Sequence, residues 1–311
     1  MRPLVVIAGP TAVGKSEVSI KLAAKIGGSI ISADSMQVYR GMDIGTAKVR
    51  EEEREGIPHY LIDVLEPQDD FNIVRFKEMA DEAIDDIAKC KRIPILVGGT
   101  GFYIQSVLYD IDFTPGDEMT DYRQELSRLI EERGSLYVHE MLAKVDPEAA
   151  KKIHHNDSRR LIRALEYHKQ TGMPISGHNS ESSRRTSPYD FCYFVLNDDR
   201  QKIYERIDRR VDRMIEAGLV REVKSLMDKG LDKNFVSMHG LGYKEIIDHL
   251  EGKITLDEAV YIIKRDTRHF AKRQLTWFKR EKDVIWIDIN DEKDIVDVML
   301  EHLSRKGIIN E

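Results

Sequence analysis

The stretch Gly9-Pro10-Thr11-Ala12-Val13-Gly14-Lys15-Ser16 decides the fold, because it reads G-x-x-x-x-G-K-S. The apolar run from Leu4 to Ala8 directly before it is typical of a buried parallel strand. After it, Val18, Leu22 and Ile26 mark one face of a helix that ends at two consecutive glycines. A strand, a glycine-rich turn and a helix in this order are the setting in which the motif forms a phosphate-binding loop.

The chemistry predicted for residues 9–16 is anion binding. Successive backbone N–H groups point into the turn, the helix N-terminus adds partial positive charge, and Lys15 adds a full charge. The Ser16 hydroxyl could bind a Mg2+ ion that bridges phosphate oxygens. The alternative is a tight strand-to-helix turn without a ligand. The motif does not say which phosphorylated molecule binds.

The bulk composition is that of a globular chain. Of its 311 residues 41% are hydrophobic and 33% are charged, which excludes a disordered protein. The two cysteines, Cys90 and Cys192, lie far apart and predict neither a zinc site nor a disulfide framework, as in a cytoplasmic protein. The first strand begins too early to leave room for a signal peptide, and no run of about 18 apolar residues predicts a membrane span.

The charge is distributed unevenly along the chain. The net charge is −7, but residues 151–280 carry 27 basic and 19 acidic side chains, a net of +8, which leaves −15 for the remainder. A basic block inside an acidic chain indicates a surface for a polyanion such as a nucleic acid. The alternative is a set of solvated helix faces whose charges pair with one another.

Two further predicted strands end in residues that could act on a ligand. Asp34 follows the strand from Ser29 to Ala33, at the edge where parallel sheets bind ligands, and its carboxylate could take a proton from a nucleophile. It could equally cap the next turn. The strand from Ile93 to Val97 leads into Gly98-Gly99-Thr100-Gly101, where Thr100 either aims its hydroxyl into the same cleft or belongs to an ordinary turn.

The middle of the chain changes character and is predicted to be all-helical. Helices are predicted from Asp121 to Glu132, Leu136 to Val145 and Asp157 to Thr171, followed by a mobile loop or hinge from Ser176 to Ser187. We therefore predict an α/β fold, with a P-loop NTPase-like core of parallel strands and flanking helices in residues 1–112 and 189–311. Residues 113–188 form a helical insertion. Further core elements are expected at His59 to Val64 (strand), Asp70 to Lys89 (helix), Phe191 to Leu196 (strand), Thr255 onward (a long helix opened by a capping box), Val284 to Ile289 (strand) and Asp291 to Ser304 (helix).

Basic residues in two helices lie where an anion would stabilise them. The predicted helix capped by Asp157 carries Arg159, Arg160 and Arg163 in its first turns, against the helix dipole, which favours a phosphate partner. Arg163 could instead pair with Glu166 or stay solvated. In the helix from Asp199, Arg210 lies only roughly 55° from the centre of the apolar stripe. A cation so placed needs an anion, either an internal carboxylate or the phosphates of a ligand.

Taken together, these segments resemble one family, the tRNA dimethylallyltransferases of the bacterial type. The resemblance covers residues 4–280 and depends most on the run from Asp34 to Lys48, because the loop at residues 9–16 is shared with many NTPases. The other matching segments are Gly98-Gly99-Thr100, Asp157 to Glu166, Gly242-Tyr243-Lys244-Glu245 and Ala271 to Phe278. The chain as given lacks the zinc-finger extension of eukaryotic members, and His239-Gly240 stands where other residues are common.

The resemblance implies Mg2+-assisted transfer of a dimethylallyl group from dimethylallyl diphosphate to the exocyclic amine of the adenosine 3′ of a tRNA anticodon. Asp34 would accept the amine proton, while Lys15, Ser16 with Mg2+, Thr100 and Arg210 would stabilise the departing pyrophosphate. Nothing demands more than a monomer. The implied diphosphate contacts are Gly9, Pro10, Thr11, Ala12, Val13, Gly14, Lys15 and Ser16. The implied tRNA contacts are Asp34, Ser35, Met36, Gln37, Thr100, Arg123, Arg159, Arg160, Leu161, Ile162, Arg163, His239, Gly240, Leu241, Gly242, Tyr243 and Lys244.

Two other functions fit the phosphate-binding loop. A P-loop kinase for a small metabolite would turn over ATP, but the sequence shows no convincing adenine or lid-arginine signature for it. A nucleotide-regulated RNA-binding protein would have no chemistry to lose when Asp34 is changed.

Overall fold

The computed structural model describes residues 1–111, 121–177, 186–290 and 294–309. The chain divides into two compact units, one formed by residues 1–110 and 188–311 and the other by residues 111–187. The boundaries predicted from sequence, 112/113 and 188/189, lie within two residues of these. The predicted loop from Ser176 to Ser187 falls mostly outside the described residues.

The first unit is an α/β structure built around one parallel sheet, which confirms the predicted fold class. Its strands are β1 (Arg2–Ala8), β2 (Gly28–Ala33), β3 (His59–Tyr60), β4 (Ile93–Gly98), β5 (Tyr189–Asn197) and β6 (Val284–Asp288), in the order β3-β2-β4-β1-β5-β6. All the pairings are parallel. Its helices are α1 (Lys15–Ile26), α2 (Ile73–Lys89), α3 (Gly101–Leu108), α8 (Arg200–Ala217), α9 (Leu219–Asp228), α10 (Tyr243–Leu250), α11 (Leu256–Phe278) and α12 (Ile295–Arg305).

Both faces of the sheet are covered by helices, which is why its strands read as unbroken apolar runs. Along β1, Leu4 and Val6 pack on one face with Phe76 of α2. The alternate residues, Val5 and Ile7, face the other side with α1 and α12. Strand β1 therefore lies in the middle of the core, and the loop that follows it emerges between the two layers.

Local sequence signals placed most helix ends correctly. Asp199 and Asp157 accept backbone N–H groups at the starts of their helices, and Thr255 forms a reciprocal box with Glu258. The prediction of a strand from His59 to Val64 was too long, because Leu61 and Asp63 adopt φ of 60° and 56°, which ends the strand. The last helix starts later than predicted, capped by Asp294 rather than opening at Asp291, which lies outside the described residues.

The second unit is a small helical bundle. Its helices are α4 (Asp121–Arg133), α5 (Ser135–Val145), α6 (Pro147–Lys152) and α7 (Ser158–Thr171). Leu126, Val138, Leu142 and Leu161 form its core. Helix α6 was not predicted, although Asp146 caps it and proline occupies its first turn, because six residues are too short for a clear apolar period. In neither unit does a described helix combine the length and apolar composition needed to cross a membrane.

Candidate active site

Three loops of the first unit leave the sheet side by side. Ala8 pairs in register with Gly98, and Gly98 pairs in register with Ala33. The phosphate-binding loop, the turn Gly98–Thr100 and Asp34 each follow one of these three positions. Because parallel strands end at the same edge, the sheet brings together the three segments that the sequence singled out.

The phosphate-binding loop has the form that the motif predicts. Gly14 precedes α1 with a φ of 97°, a conformation that favours glycine, and Lys15 is the first residue of the helix. The Lys15 Nζ donates to the carbonyl oxygens of Gly9 at 3.0 Å and Pro10 at 2.8 Å. The lysine therefore folds back over its own loop, and its positive end lies where an anion would bind.

The pKa of Lys15 is set by opposing effects. Burial and, to a smaller extent, Arg210 lower the pKa of Lys15, Asp34 raises it, and the net result is a pKa of about 7. A half-buried lysine whose charge is disfavoured both by burial and by a cationic neighbour gains most when a polyanion arrives. Anion binding should therefore raise its pKa and draw in a proton.

We expect pyrophosphate binding to take up close to one proton at pH 8, because a group with a pKa near 7 is about nine-tenths neutral there. Affinity should then fall by about tenfold for each pH unit above 7. Calorimetry with pyrophosphate and Mg2+ in two buffers of different ionisation enthalpy measures the uptake. Lys15→Arg, which is charged at every pH, is the control. Pyrophosphate itself exchanges the same protons in both experiments, so the difference in uptake between the two proteins reports Lys15 alone. Equal uptake by both proteins would contradict this assignment.

Asp34 combines the two roles that the sequence left open. Its Oδ1 accepts the backbone N–H of Met36 at 2.8 Å and of Gln37 at 3.4 Å, so the residue does cap its turn. Among the described residues, the Oδ2 atom accepts no hydrogen bond. Asp34 also lines a cavity of about 50 Å³ together with Lys15 and Ser16. One oxygen thus holds the turn, and the other is available beside the anion loop.

Arg210 reaches the same loop from α8. Its Nη1 donates to the Thr11 Oγ1 at 3.2 Å. Burial lowers the pKa of Arg210, with Asp34 opposing and Arg213 adding to the effect. The α8 ion pairs between described residues involve Arg206, Asp208 and Asp212 but not Arg210. The sequence left two partners open for Arg210, an internal carboxylate or the phosphates of a ligand. Among the described residues, no carboxylate lies within ion-pair distance of Arg210.

The surroundings of Ser16 fit a Mg2+ ion that arrives with a diphosphate. Ser16 lines both the small cavity shared with Asp34 and a groove of about 570 Å³ that includes Arg210 and Arg213. No cluster of three His, Cys, Asp or Glu side chains in the described parts of the chain could hold a metal by itself. Mg2+ commonly takes one or two protein ligands and completes its shell with phosphate oxygens and water. Ser16 can supply such a ligand.

A second group of predicted residues lies beside Asp34. A Cβ atom at Gly240 would approach the Met36 Cε to 2.7 Å, so the segments 34–37 and 239–244 are in contact. Tyr243 is only 1% exposed, and its hydroxyl donates to the Glu222 Oε1 at 2.7 Å. Its side chain therefore supports this surface from within rather than facing a partner. His239 is exposed, and Lys244 is half-buried beside Glu245.

Sequence reasoning missed Glu222 and Gln274. The Glu222 carboxylate accepts the backbone N–H groups of three consecutive residues, Asp43, Ile44 and Gly45, and so fixes the run that carried the family resemblance. Gln274 hydrogen-bonds both the phosphate-binding loop and the turn Gly98–Thr100. For Gln274 there was a signal, a polar residue on the buried face of α11.

In the second unit, the predicted residues differ in exposure. Arg159 and Arg160 are exposed, and the Arg160 Nε lies 3.4 Å from an Asp157 carboxylate oxygen. Arg123 donates two hydrogen bonds to Glu166 Oε2, at 3.0 and 2.6 Å, and this carboxylate is 1% exposed. The Leu161 side chain is fully buried, while Ile162 and Arg163 are half-buried. Arg123 thus has an internal partner and Leu161 packs in the core of the bundle, and the exposed ones among the predicted arginines are Arg159 and Arg160 at the start of α7.

Comparisons with known proteins agree on one family. The family model described as IPP transferase matches residues 37–281. The tRNA dimethylallyltransferase of Lachnoclostridium phytofermentans is 57% identical over 99% of this chain and 100% of its own length. The crystal structure of the full-length tRNA isopentenylpyrophosphate transferase of Bacillus halodurans is similar at 42% identity, with a TM-score of 0.74 and 99% of each chain covered. A eukaryotic dimethylallyltransferase solved acting on tRNA has 32% identity and a TM-score of 0.85, over 99% of this chain and 80% of that one.

Proposed function

This chain belongs to the tRNA dimethylallyltransferase family, whose members transfer a prenyl group to tRNA, and we propose the substrates, the metal and the residues of that reaction. The donor is dimethylallyl diphosphate, and the acceptor is the exocyclic amine of the adenosine immediately 3′ of the anticodon in certain tRNAs. Pyrophosphate is the leaving group, and Mg2+ binds with the diphosphate. The phosphate-binding loop serves a leaving group here rather than ATP.

The chemical step exchanges one bond for another. The adenine amine nitrogen bonds to C1 of the dimethylallyl group, the bond from C1 to the diphosphate oxygen breaks, and the amine loses a proton to the Asp34 Oδ2. Lys15, Arg210 and the Thr100 hydroxyl stabilise the negative charge that accumulates on the departing pyrophosphate. Mg2+ held by Ser16 and the phosphate oxygens would supply further charge neutralisation when bound.

The acceptor base has to leave its stack to reach this site, as in other enzymes that modify a base. The segment 34–37, which contains Asp34, and the neighbouring segment 239–244 would contact the extruded base. The exposed arginines at the start of α7 would bind backbone phosphates of the anticodon arm, since cations in a first helical turn are unfavourable without an anion.

One observation carries the proposal: an anion loop and a carboxylate with a free oxygen line the same cavity at the edge of the sheet. A kinase site would also need the loop and could use the carboxylate to take a proton from a hydroxyl group, so it is the family membership that favours prenyl transfer. To test the proposal, the protein is mixed with ATP and, separately, with dimethylallyl diphosphate, Mg2+ and unmodified tRNA. We expect pyrophosphate release and prenylated adenosine only in the second mixture. Phosphate transfer from ATP to a small molecule would overturn it.

Arg160→Ala is expected to weaken tRNA binding and to make the binding less dependent on salt. The loss of one phosphate contact should reduce the slope of log K against log salt concentration by about one unit or somewhat less. Affinities measured by filter binding between about 50 and 200 mM salt give the slope. Lys151→Ala is the matched control in the same unit, because Lys151 is equally exposed but its Nζ lies 2.6 Å from a Glu148 oxygen, whereas the Arg160 Nε lies 3.4 Å from Asp157. An unchanged slope for Arg160→Ala would remove this residue from the interface.

A further inference from the structure

Gln274 joins the two loops that flank the proposed reaction centre. Its Oε1 accepts the Thr11 backbone N–H at 2.8 Å, and its Nε2 donates to the Gly99 carbonyl at 3.0 Å. One side-chain amide thus satisfies a donor on the phosphate-binding loop and an acceptor on the turn that carries Thr100. A carboxylate or a hydrocarbon of the same size could not make both bonds.

The fit around this amide is close on every side. Gln274 is 6% exposed, and a Cβ atom at position 99 would stand 2.1 Å from its Nε2. Glycine at position 99 is therefore what lets the amide approach the turn. One helical turn later, Trp277 packs against Gly101, where a Cβ atom would lie 2.2 Å from the indole ring. Helix α11 thus contacts the turn Gly98–Thr100 and the start of α3 as well as the phosphate-binding loop.

The helix that carries Gln274 is fixed to the helix that carries Arg210. The Arg268 Nη1 on α11 lies 2.5 and 2.8 Å from the two Asp208 carboxylate oxygens on α8, and Lys264 pairs with Asp212 at 2.6 Å. Arg210 and Gln274 then reach the same loop residue, one through the Thr11 side chain and the other through its backbone. Thr11 is held from two directions by a single pair of helices.

We infer that Gln274 is a positioning residue that sets the separation between the phosphate-binding loop and the Thr100 hydroxyl. Because both polar ends of its amide bond to the loops, we assign it no contact with the diphosphate or the base. Its bond to Thr11 fixes a backbone N–H group of the phosphate-binding loop that could otherwise turn toward the anion. Its bond to Gly99 fixes the position of the next residue, Thr100. The inference rests on the proposed function, because the Thr100 hydroxyl matters only if a leaving group lies between the two loops.

A double-mutant cycle tests this inference. We compare the kcat of four proteins: wild type, Gln274→Met, Thr100→Val and the double variant. The assay uses saturating dimethylallyl diphosphate and unmodified tRNA. Each kcat is divided by the concentration of sites that bind pyrophosphate, so that misfolded protein is not counted. Methionine keeps the volume but makes neither hydrogen bond. We expect Gln274→Met to lower kcat by about 10- to 100-fold, as a misplaced group does. In the Thr100→Val background the same change should cost less than about threefold, because residues acting as one unit are not additive.

Additive effects in the cycle, or an unchanged kcat for Gln274→Met, would overturn the inference while leaving the proposed function in place. If the wild-type protein transferred no prenyl group, both the inference and the proposed function would be wrong. Should Gln274→Met fail to fold, Gln274→Glu replaces it, since glutamate keeps the size and the acceptor for Thr11 but loses the donor for Gly99. Its activity relative to wild type should rise as the pH falls and the carboxyl regains a proton, and a flat ratio would count against the inference.

Asp208→Ala is the matched structural control. It removes one of the two ion pairs between α8 and α11, leaves the Lys264–Asp212 pair to hold the helices together, and makes no hydrogen bond or ion pair with either loop. We expect it to lower the melting temperature and to leave kcat within about twofold of wild type. If Asp208→Ala lowered kcat as much as Gln274→Met, helix packing alone would explain both, and Gln274 would have no positioning role.

Discussion

Replacing Asp34 with asparagine is expected to lower kcat for prenyl transfer by about 10²- to 10⁴-fold, the range that general-base groups contribute. Asparagine keeps an Oδ1 atom that can accept the N–H groups of Met36 and Gln37, so the turn should survive. What is lost is the oxygen that takes the amine proton. tRNA affinity should stay close to wild type, because the backbone of the segment does not move.

The experiment has to separate catalysis from diphosphate binding. Asp34 raises the pKa of Lys15, so the asparagine variant should have a less protonated lysine and bind diphosphate more weakly above neutral pH. Single-turnover rates at saturating dimethylallyl diphosphate avoid this complication, because every enzyme molecule then holds its donor. Ser35→Ala, a change in the same turn that leaves the carboxylate in place, reports how much the segment itself contributes. Full turnover by Asp34→Asn would show that the proton goes elsewhere.

The second large effect is expected at Arg210. Arg210→Met should lower kcat by about 10²- to 10³-fold, the usual cost of removing a preorganised charge from a developing anion. The binding of dimethylallyl diphosphate itself should change much less. The reason is electrostatic: Arg210 lowers the pKa of Lys15, so its removal lets Lys15 keep its proton and compensate in the ground state.

Arg209→Met is the natural control, because the neighbouring arginine is exposed and its Nε donates only to the Glu205 carbonyl of its own helix. We expect it to transfer the prenyl group at close to the wild-type rate. Calorimetry adds a readout independent of turnover. In Arg210→Met, the pH at which pyrophosphate binding begins to take up a proton should move upward from about 7. A downward shift, or equal kcat losses at positions 209 and 210, would contradict the assigned role.

Asp34 and Lys15 stabilise each other's charge before the donor binds. A lysine that is half-buried and close to a second cation would lose its proton readily, and the carboxylate opposite keeps part of its charge. When the pyrophosphate has formed, Lys15 and Arg210 both gain a stronger anionic partner than Asp34. Asp34 is then free to hold the proton received from the amine. The same three charges thus bind the donor and receive its products.

Much of the fold follows from local rules and could be predicted. The loop at residues 9–16 was recognised from glycine and lysine spacing with its flanking strand and helix, and β1, β2, β4 and β5 from continuous apolar runs. The helix starts at Asp157 and Thr255 were predicted from capping residues, and the helix from Asp199 was predicted from its apolar stripe. Arg210 was found because helical geometry fixes which residues share a face.

Other features depend on backbone conformations or contacts that the local sequence does not show. Strand β3 ends at Tyr60 because two following residues take left-handed conformations, and nothing in their identities requires it. Arg123 and Tyr243, which were predicted to contact tRNA, each have an internal carboxylate partner distant in sequence, the buried Glu166 and the half-buried Glu222. A polar side chain has the same identity whether it faces a ligand or satisfies a buried group, so sequence alone cannot separate the two.

The sequence by itself determined most of the elements, the anion loop and the family, because these depend on spacing over a few residues. The tertiary structure decided which oxygen of Asp34 is free, that Arg210 has no internal carboxylate within ion-pair distance among the described residues, and that Gln274 spans two loops. Each of these depends on atoms brought together from positions up to 263 residues apart. Such contacts are set by how the helices pack on the sheet, and the local chain does not encode them one by one.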